Sequence, residues 1–169
     1  MNEIKGKIAF KGNPMTLLGN SVEVGQVAPD FTVLGGDLSP VKLSDYKGRN
    51  VVIAFYPSID TGVCQLQNKR FNAEAAKLTD AVVLSISCDL PFAQGRFCAA
   101  EGLCNVLTLS DHKDTDFGLK YGLLIKELRL LTRGTLVVDK AGVIKYFEVC
   151  AEVTDEPNYE ASLAVIKSL

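Results

Sequence analysis

Five cysteines offer the most chemistry in this 169-residue chain: Cys64, Cys88, Cys98, Cys104 and Cys150. Five is odd, so they cannot all pair within the chain. The usual reading of such thiols is that they are reduced and buried, with reactive ones as exceptions. Cys64 has the setting of an exception. The apolar run Val51-Val52-Ile53-Ala54-Phe55-Tyr56 is stopped by Pro57, and a helix is expected from about Gly62 with Thr61 as its N-cap. Cys64 then falls in the first helical turn. Unpaired backbone N–H groups and the positive end of the helix dipole favour a thiolate there, and the thiolate is the nucleophile. Position alone is not decisive, because a lone cysteine at a helix start is more often an inert small residue.

Other constellations are poorly supplied. A thioredoxin-type dithiol would need Cys-x-x-Cys, and Gln67 stands three after Cys64. A cysteine hydrolase would need a histidine base beside its thiol. The single histidine, His112, sits in the polar run Asp111-His112-Lys113 and reads as a solvated loop residue. Cys98 and Cys104 are six apart, which is not the paired spacing of a zinc site. A net charge of −2 lacks the basic surface expected of a nucleic-acid binder. No apolar run is long enough to cross a bilayer, and Met1–Lys7 lacks the apolar core of a signal peptide, so a cytoplasmic protein is the default expectation.

The elements that must position these thiols follow from the pattern. Ile8-Ala9-Phe10 and Met15-Thr16-Leu17 flank Lys11-Gly12-Asn13-Pro14 and predict an N-terminal β-hairpin. Short strands are expected at Phe31–Leu34 and Val41–Leu43. Val51–Tyr56, continuously apolar, predicts a central strand covered on both faces. A helix follows to about Leu78, with Val63, Leu66, Ala75 and Leu78 as its apolar side, and then a second buried strand, Ala81–Ser87. Asp89-Leu90-Pro91 starts another helix, with Asp89 or Leu90 near its cap; it carries Cys98 and ends by Gly102. A strand at Asn105–Leu109, a brief helix at Thr115–Tyr121, a hairpin of Leu136–Val138 with Val143–Val149, and a terminal helix at Pro157–Ser168 complete the order. That succession is α/β, a central mixed sheet flanked by helices. Hydrophobic residues make up 47% and charged residues 22%, a globular composition, and with no linker or repeat residues 1–169 read as one domain.

Pro57, Thr61 and Cys64 form a Pro-x-x-x-Thr-x-x-Cys arrangement that resembles the active-site motif of the peroxiredoxins. The longer string Pro57-Ser58-Ile59-Asp60-Thr61-Gly62-Val63-Cys64 is similar to the thiol peroxidase family, the atypical two-cysteine peroxiredoxins. So is a second block, Asp89-Leu90-Pro91-Phe92-Ala93-Gln94-Gly95-Arg96-Phe97-Cys98, and the likeness extends over nearly the whole chain. The resemblance implies a thioredoxin-like fold and a thiol-dependent peroxidase acting on hydrogen peroxide and alkyl hydroperoxides. It also implies thioredoxin as reductant, a homodimer, and no metal, haem or flavin. Cys64 would attack the peroxide and become a sulfenic acid. Thr61 would place its hydroxyl against the sulfur and the peroxide, Pro57 would shield the sulfenate, and first-turn N–H groups would hold the peroxide oxygens. Arg133, just before the strand at Leu136, matches the family's arginine, with Arg129 as the fallback.

The same resemblance makes Cys98, 34 residues after Cys64, the resolving thiol of an intramolecular disulfide. A disulfide needs Cα atoms within about 7 Å. Thiols on two different helices start farther apart, so local unwinding is expected during turnover, helped by Gly95 within the Cys98 helix. Cys88 ends a buried run and reads as packed core, Cys104 as exposed, and Cys150 as a weaker resolving candidate. A non-enzymatic peroxide sensor on the same fold would share the chemistry at Cys64 and differ only in rate and partners.

Overall fold

The computed structural model describes residues 1–169. Strands β1 (Glu3–Phe10) and β2 (Asn13–Leu18) form the N-terminal hairpin, turned by Lys11 and Gly12 in the left-handed region. Strands β3 (Thr32–Leu34) and β4 (Pro40–Lys42) follow. Leu43 does not extend β4 as expected. It opens a 3-10 helix, Leu43–Tyr46, because the Asp45 carboxylate turns back to accept the Lys42 N–H at 2.8 Å. The chain continues through β5 (Asn50–Phe55), α1 (Gly62–Ala75), β6 (Ala81–Ser87), α2 (Pro91–Glu101), β7 (Leu107–Ser110) and α3 (Asp116–Tyr121). It ends with β8 (Leu124–Ile125), β9 (Leu130–Leu131), β10 (Gly134–Val138), β11 (Ile144–Val149) and α4 (Tyr159–Lys167).

Seven strands form one mixed sheet in the order β11-β10-β5-β6-β7-β3-β4. Strands β5, β6 and β7 are parallel, and the outer pairings are antiparallel. Parallel strands need cover on both faces, which explains the uninterrupted apolar run of β5, buried along its whole length. Its side chains alternate between two cores. Val51, Ile53 and Phe55 join Phe31, Leu84, Phe117 and Leu136 on the α3 face. Val52 and Ala54 join Phe71, Val83, Leu163 and Ile166 on the face covered by α1, α2 and α4. Each such large apolar side chain contributes about 1.5–3 kcal/mol on burial.

The hairpin is not a free appendage. It extends into a second, four-stranded sheet, β1-β2-β8-β9. Strands β8 and β9 have two residues each, too short to show any period in sequence, and were not expected. The helix α1 also stops earlier than its apolar spacing suggested, at Ala75.

One glycine sets how Arg133 enters the sheet. Gly134 starts β10 and lies between Phe55 on β5 and Val149 on β11. A Cβ there would stand 1.9 Å from the Glu148 carbonyl oxygen and 2.6 Å from Phe55 Cζ. Gly134→Ala is therefore expected to cost at least about 3 kcal/mol, the upper end for overpacking. Urea unfolding would check this, and an unchanged midpoint would refute it.

Candidate active site

The peroxide-chemistry candidate sits where β5 gives way to α1. Pro57 is buried at that junction, and Ser58–Asp60 form the loop. Thr61 is the N-cap of α1, with extended backbone (φ −104°, ψ 144°), and its Oγ1 accepts the Cys64 N–H at 3.4 Å. The same hydroxyl reaches Cys64 Sγ at 2.7 Å as a donor. Thr61 is exposed, whereas Cys64 has 0% of its surface exposed and packs with Tyr56 and Ile59 against Phe97.

Arg133 reaches the same sulfur from the far side of the chain. It lies between β9 and β10 and is only 2% exposed. Nε donates to the Val153 carbonyl at 2.7 Å, Nη1 to Gln67 Oε1 at 2.8 Å, and Nη2 to Cys64 Sγ at 3.0 Å. None of these partners is a carboxylate. A buried guanidinium without a counter-charge costs several kcal/mol. The sulfur is the one contacting group that can supply that charge, as a thiolate. Arg129, the fallback, is exposed in the β8–β9 turn at φ +55° and does not touch the sulfur.

Two amides that the sequence did not single out for the site hold this pair. Gln67 is fully buried; its Nε2 donates to the Gly134 carbonyl at 3.2 Å and the Phe55 carbonyl at 3.5 Å, which fixes the amide so that Oε1 faces Arg133. Asn68 Nδ2 donates to the Cys64 carbonyl at 2.9 Å, and its Oδ1 accepts from Ser85 Oγ. Tyr56 OH and Ser85 Oγ are 2.8 Å apart, and since Ser85 gives its hydrogen to Asn68, Tyr56 is the donor. Burial holds the Tyr56 phenol neutral, well above its ordinary value. The buried face of α1 is thus Cys64, Gln67, Asn68, Phe71 and Glu74, and Leu66 lies exposed. Of the apolar side expected from Val63, Leu66, Ala75 and Leu78, Ala75 and Leu78 do pack against the Phe71 core and Val63 is half-buried. Leu66 points to solvent, and the most deeply buried positions near the helix start are the polar Gln67 and Asn68.

Cys98 lies on α2, half-buried, with Sγ 3.6 Å from Thr108 Oγ1. All five cysteines are free thiols. The residue of α2 that packs against the Cys64 cluster is Phe97, while Cys98 packs in the α1-side core. Cys104 is exposed, Cys88 half-buried against the core, and Cys150 buried. Burial, with Asp111 nearby, pushes the Cys88 thiol up to about 12. Burial, with Glu148 nearby, does the same to Cys150, also to about 12. His112 is not a free loop residue: it is half-buried, with Nδ1 2.8 Å from Ser110 Oγ.

This geometry can be set beside known proteins. The Redoxin family model matches residues 23–163. Over 157 residues the chain is 56% identical to the thiol peroxidase of Oceanobacillus iheyensis, spanning 93% of this chain and 96% of that one. The chain belongs to the thiol peroxidase family. The thiol peroxidase of Bacillus subtilis is 53% identical over 163 residues, spanning 96% of this chain and 98% of its own. The crystal structure of a peroxiredoxin-like protein from Aquifex aeolicus superposes with a TM-score of 0.90 at 36% identity, covering 97% of this chain and 98% of that one. The fold is therefore the thioredoxin-like one expected, with its mixed sheet flanked by helices. No helix is long and apolar enough to cross a membrane.

The thiols separate by environment, which labelling can read. With Cys88 and Cys150 at about 12, only on the order of 10⁻⁵ of either is thiolate at pH 7. Maleimide at pH 7 is expected to label Cys104 in the folded protein at least ~100-fold faster than either. Peptide mass spectrometry would check the order, and fast labelling of Cys150 would contradict it.

Proposed function

We propose that this protein reduces hydrogen peroxide and alkyl hydroperoxides by a cycle in which Cys64 attacks, Cys98 resolves and thioredoxin restores both thiols. Thiol-dependent peroxide reduction is the chemistry of the family to which the chain belongs. The observation that carries the site assignment is the buried sulfur held between the Thr61 hydroxyl at 2.7 Å and the Arg133 guanidinium at 3.0 Å.

The steps follow from that geometry. The Cys64 thiolate attacks the terminal oxygen of R–O–OH, the O–O bond breaks, and Cys64 becomes a sulfenic acid while RO⁻ takes up a proton and leaves as water or alcohol. Thr61 Oγ1 has one hydrogen and two acceptors in reach, Sγ and the Ser58 carbonyl at 3.3 Å. Turned toward Ser58, it leaves lone pairs to accept the incoming peroxide O–H. Arg133 Nη2 and the first-turn N–H groups of α1 stabilise the charge that passes from sulfur to the leaving oxygen. Preorganised donors of this kind are each worth about 10²–10³ in rate. Pro57, buried at the foot of the loop, keeps water from the sulfenate. Cys98 then displaces water from the sulfenic acid to form the Cys64–Cys98 disulfide, and two thiols of thioredoxin reduce it.

The protein works as one domain over residues 1–169, as a homodimer, in the cytoplasm. Leu66, Leu90 and Phe92, large apolar side chains left exposed on α1 and at the head of α2, give a dimer contact its apolar surface.

Two experiments test the cycle. Peroxide-treated protein is expected to show a Cys64–Cys98 disulfide by peptide mass spectrometry. Cys64→Ser should lose all peroxidase activity, and Cys98→Ser should stop at the Cys64 sulfenic acid; a different disulfide partner, or activity surviving in Cys64→Ser, sinks the assignment. The second test uses Gly95, which sits mid-helix in α2 where an added Cβ meets open space. Gly95→Ala should stabilise α2 by about 0.5–1 kcal/mol and so slow disulfide formation about 2- to 5-fold. Peroxide attack, read separately by stopped-flow, should keep its wild-type rate constant.

A further inference from the structure

Asp89 joins β6 to α2, and its side chain does not cap the helix it precedes. The N-cap of α2 is Leu90, which makes no side-chain cap bond. The Asp89 carboxylate turns instead toward the Cys64 loop. Oδ1 accepts from Ser58 Oγ at 2.7 Å, and Oδ2 accepts from the Ile59 N–H at 2.7 Å and from Ser87 Oγ at 2.7 Å. Its own carbonyl accepts from Ser110 Oγ at 2.5 Å. Gln94, buried one turn into α2, ties into the same knot through Ser87 Oγ at 3.0 Å and the Leu109 carbonyl at 2.8 Å. Ile59 in turn is one of the buried residues packed around Cys64. One residue therefore fastens the peroxidatic loop, the ends of β6 and β7, and the head of the helix that carries Cys98.

We propose that Asp89 is a positioning residue of the redox cycle: its carboxylate latches the Cys64 loop to the head of the Cys98 helix, so that loop and helix must come apart before the two sulfurs can meet. This rests on the reading of Cys98 as the resolving thiol. The latch acts on the two steps in opposite senses. Latched, the loop keeps Thr61 and Cys64 in place for attack. Released, it lets Cys98–SH reach Cys64–SOH, forming the S–S bond and expelling water. The competing fate of the sulfenic acid is attack on a second peroxide, which yields Cys64–SO₂H and ROH. A tighter latch leaves more time for that loss, and a looser latch less.

Asn at position 89 cannot replace the carboxylate. Three donors point at its oxygens, and one of the two amide positions would itself be a donor. Stopped-flow on the full chain would measure the rate constants of peroxide attack and of disulfide formation separately, with sulfinic acid at Cys64 counted by mass spectrometry. Asp89→Asn should slow attack at least 3-fold and speed disulfide formation at least 3-fold, a ~10-fold change in their ratio, and lower the sulfinic yield. Ser58→Ala, which removes only one of the latch bonds, should move the ratio the same way by less, and decides the matter alone if Asp89→Asn does not fold. Asp30→Asn is the comparison for simple destabilisation: Asp30 grips the N–H and hydroxyl of Ser44 at the 3-10 helix and not the Cys64 loop. It should leave the ratio unchanged. The latch is overturned if folded Asp89→Asn and Ser58→Ala keep the wild-type ratio within 2-fold, or if Asp30→Asn shifts it as much. Failure of the underlying reading looks different, since wild-type protein would then form no Cys64–Cys98 disulfide; that result takes the latch down with it.

Discussion

A guanidinium buried to 2% exposure with no carboxylate among its partners is the constraint around which this structure is arranged. An unpaired charge in that position would cost several kcal/mol. The fold tolerates Arg133 because its donors are met by a backbone carbonyl, a side-chain amide and a sulfur that can carry the opposite charge. Seen from the sulfur, the same contact is a preorganised cation. Each group makes the burial of the other affordable, and neither position would stand alone. The exclusion of water that this pairing needs is also what strengthens it, since charges interact far more strongly away from bulk solvent.

The rest of the architecture serves that contact. Gln67 reads two backbone carbonyls, one on β5 and one on β10, and so fixes α1 to the strands that bracket the site. Gly134 brings β10 close enough to Phe55 and Glu148 for Arg133 to enter from its start. The chain Tyr56, Ser85, Asn68 and the Cys64 carbonyl fastens the first turn of α1 to β6. These are buried polar contacts in which every member has a partner, and such networks specify one geometry where an apolar core would permit several.

How much of this was legible in sequence divides along physical lines. The central strand at Val51–Tyr56, the helix starts at Gly62 and Pro91 and the N-terminal hairpin were readable because burial on both faces, capping residues and turn residues leave local marks. The placement of Cys64 beside its N-cap Thr61 was legible for the same reason, whereas only the resemblance of the Pro57–Cys64 string to a known motif singled that thiol out. The β8–β9 hairpin was not, because two-residue strands have no period. The inward side of α1 was legible at Ala75 and Leu78 but not at its start, where Gln67 and Asn68, which hydropathy assigns to solvent, are buried and Leu66 is exposed. One signal was in view: Gln67 stood three after Cys64, one helical turn on, where a side chain shares the face of the sulfur. Asp89 was read as a cap candidate from its place before Pro91, and only the fold reveals that its carboxylate serves the loop 30 residues earlier.

The two halves of the proposed cycle make opposite demands on the same residues. Attack needs Cys64 held still, and resolution needs its surroundings to let go. The structure divides these demands between the two helices. The start of α1 is held by the Thr61 cap, by Asn68 on the Cys64 carbonyl and by Arg133 on the sulfur. In α2 only Pro91 and Gln94 are buried, Gly95 within the helix lowers its intrinsic stability, and Gly102 ends it in the left-handed region. Helix stability in proteins comes chiefly from packing of a buried face, so the sparsely packed helix is the one that opens at lower cost. Cys98 sits beyond Gly95 on that helix, and Phe97 beside it covers the Cys64 cluster. In the proposed cycle, movement of α2 would therefore free Cys98 and uncover the Cys64 cluster in one step, while α1 keeps the geometry around the sulfur.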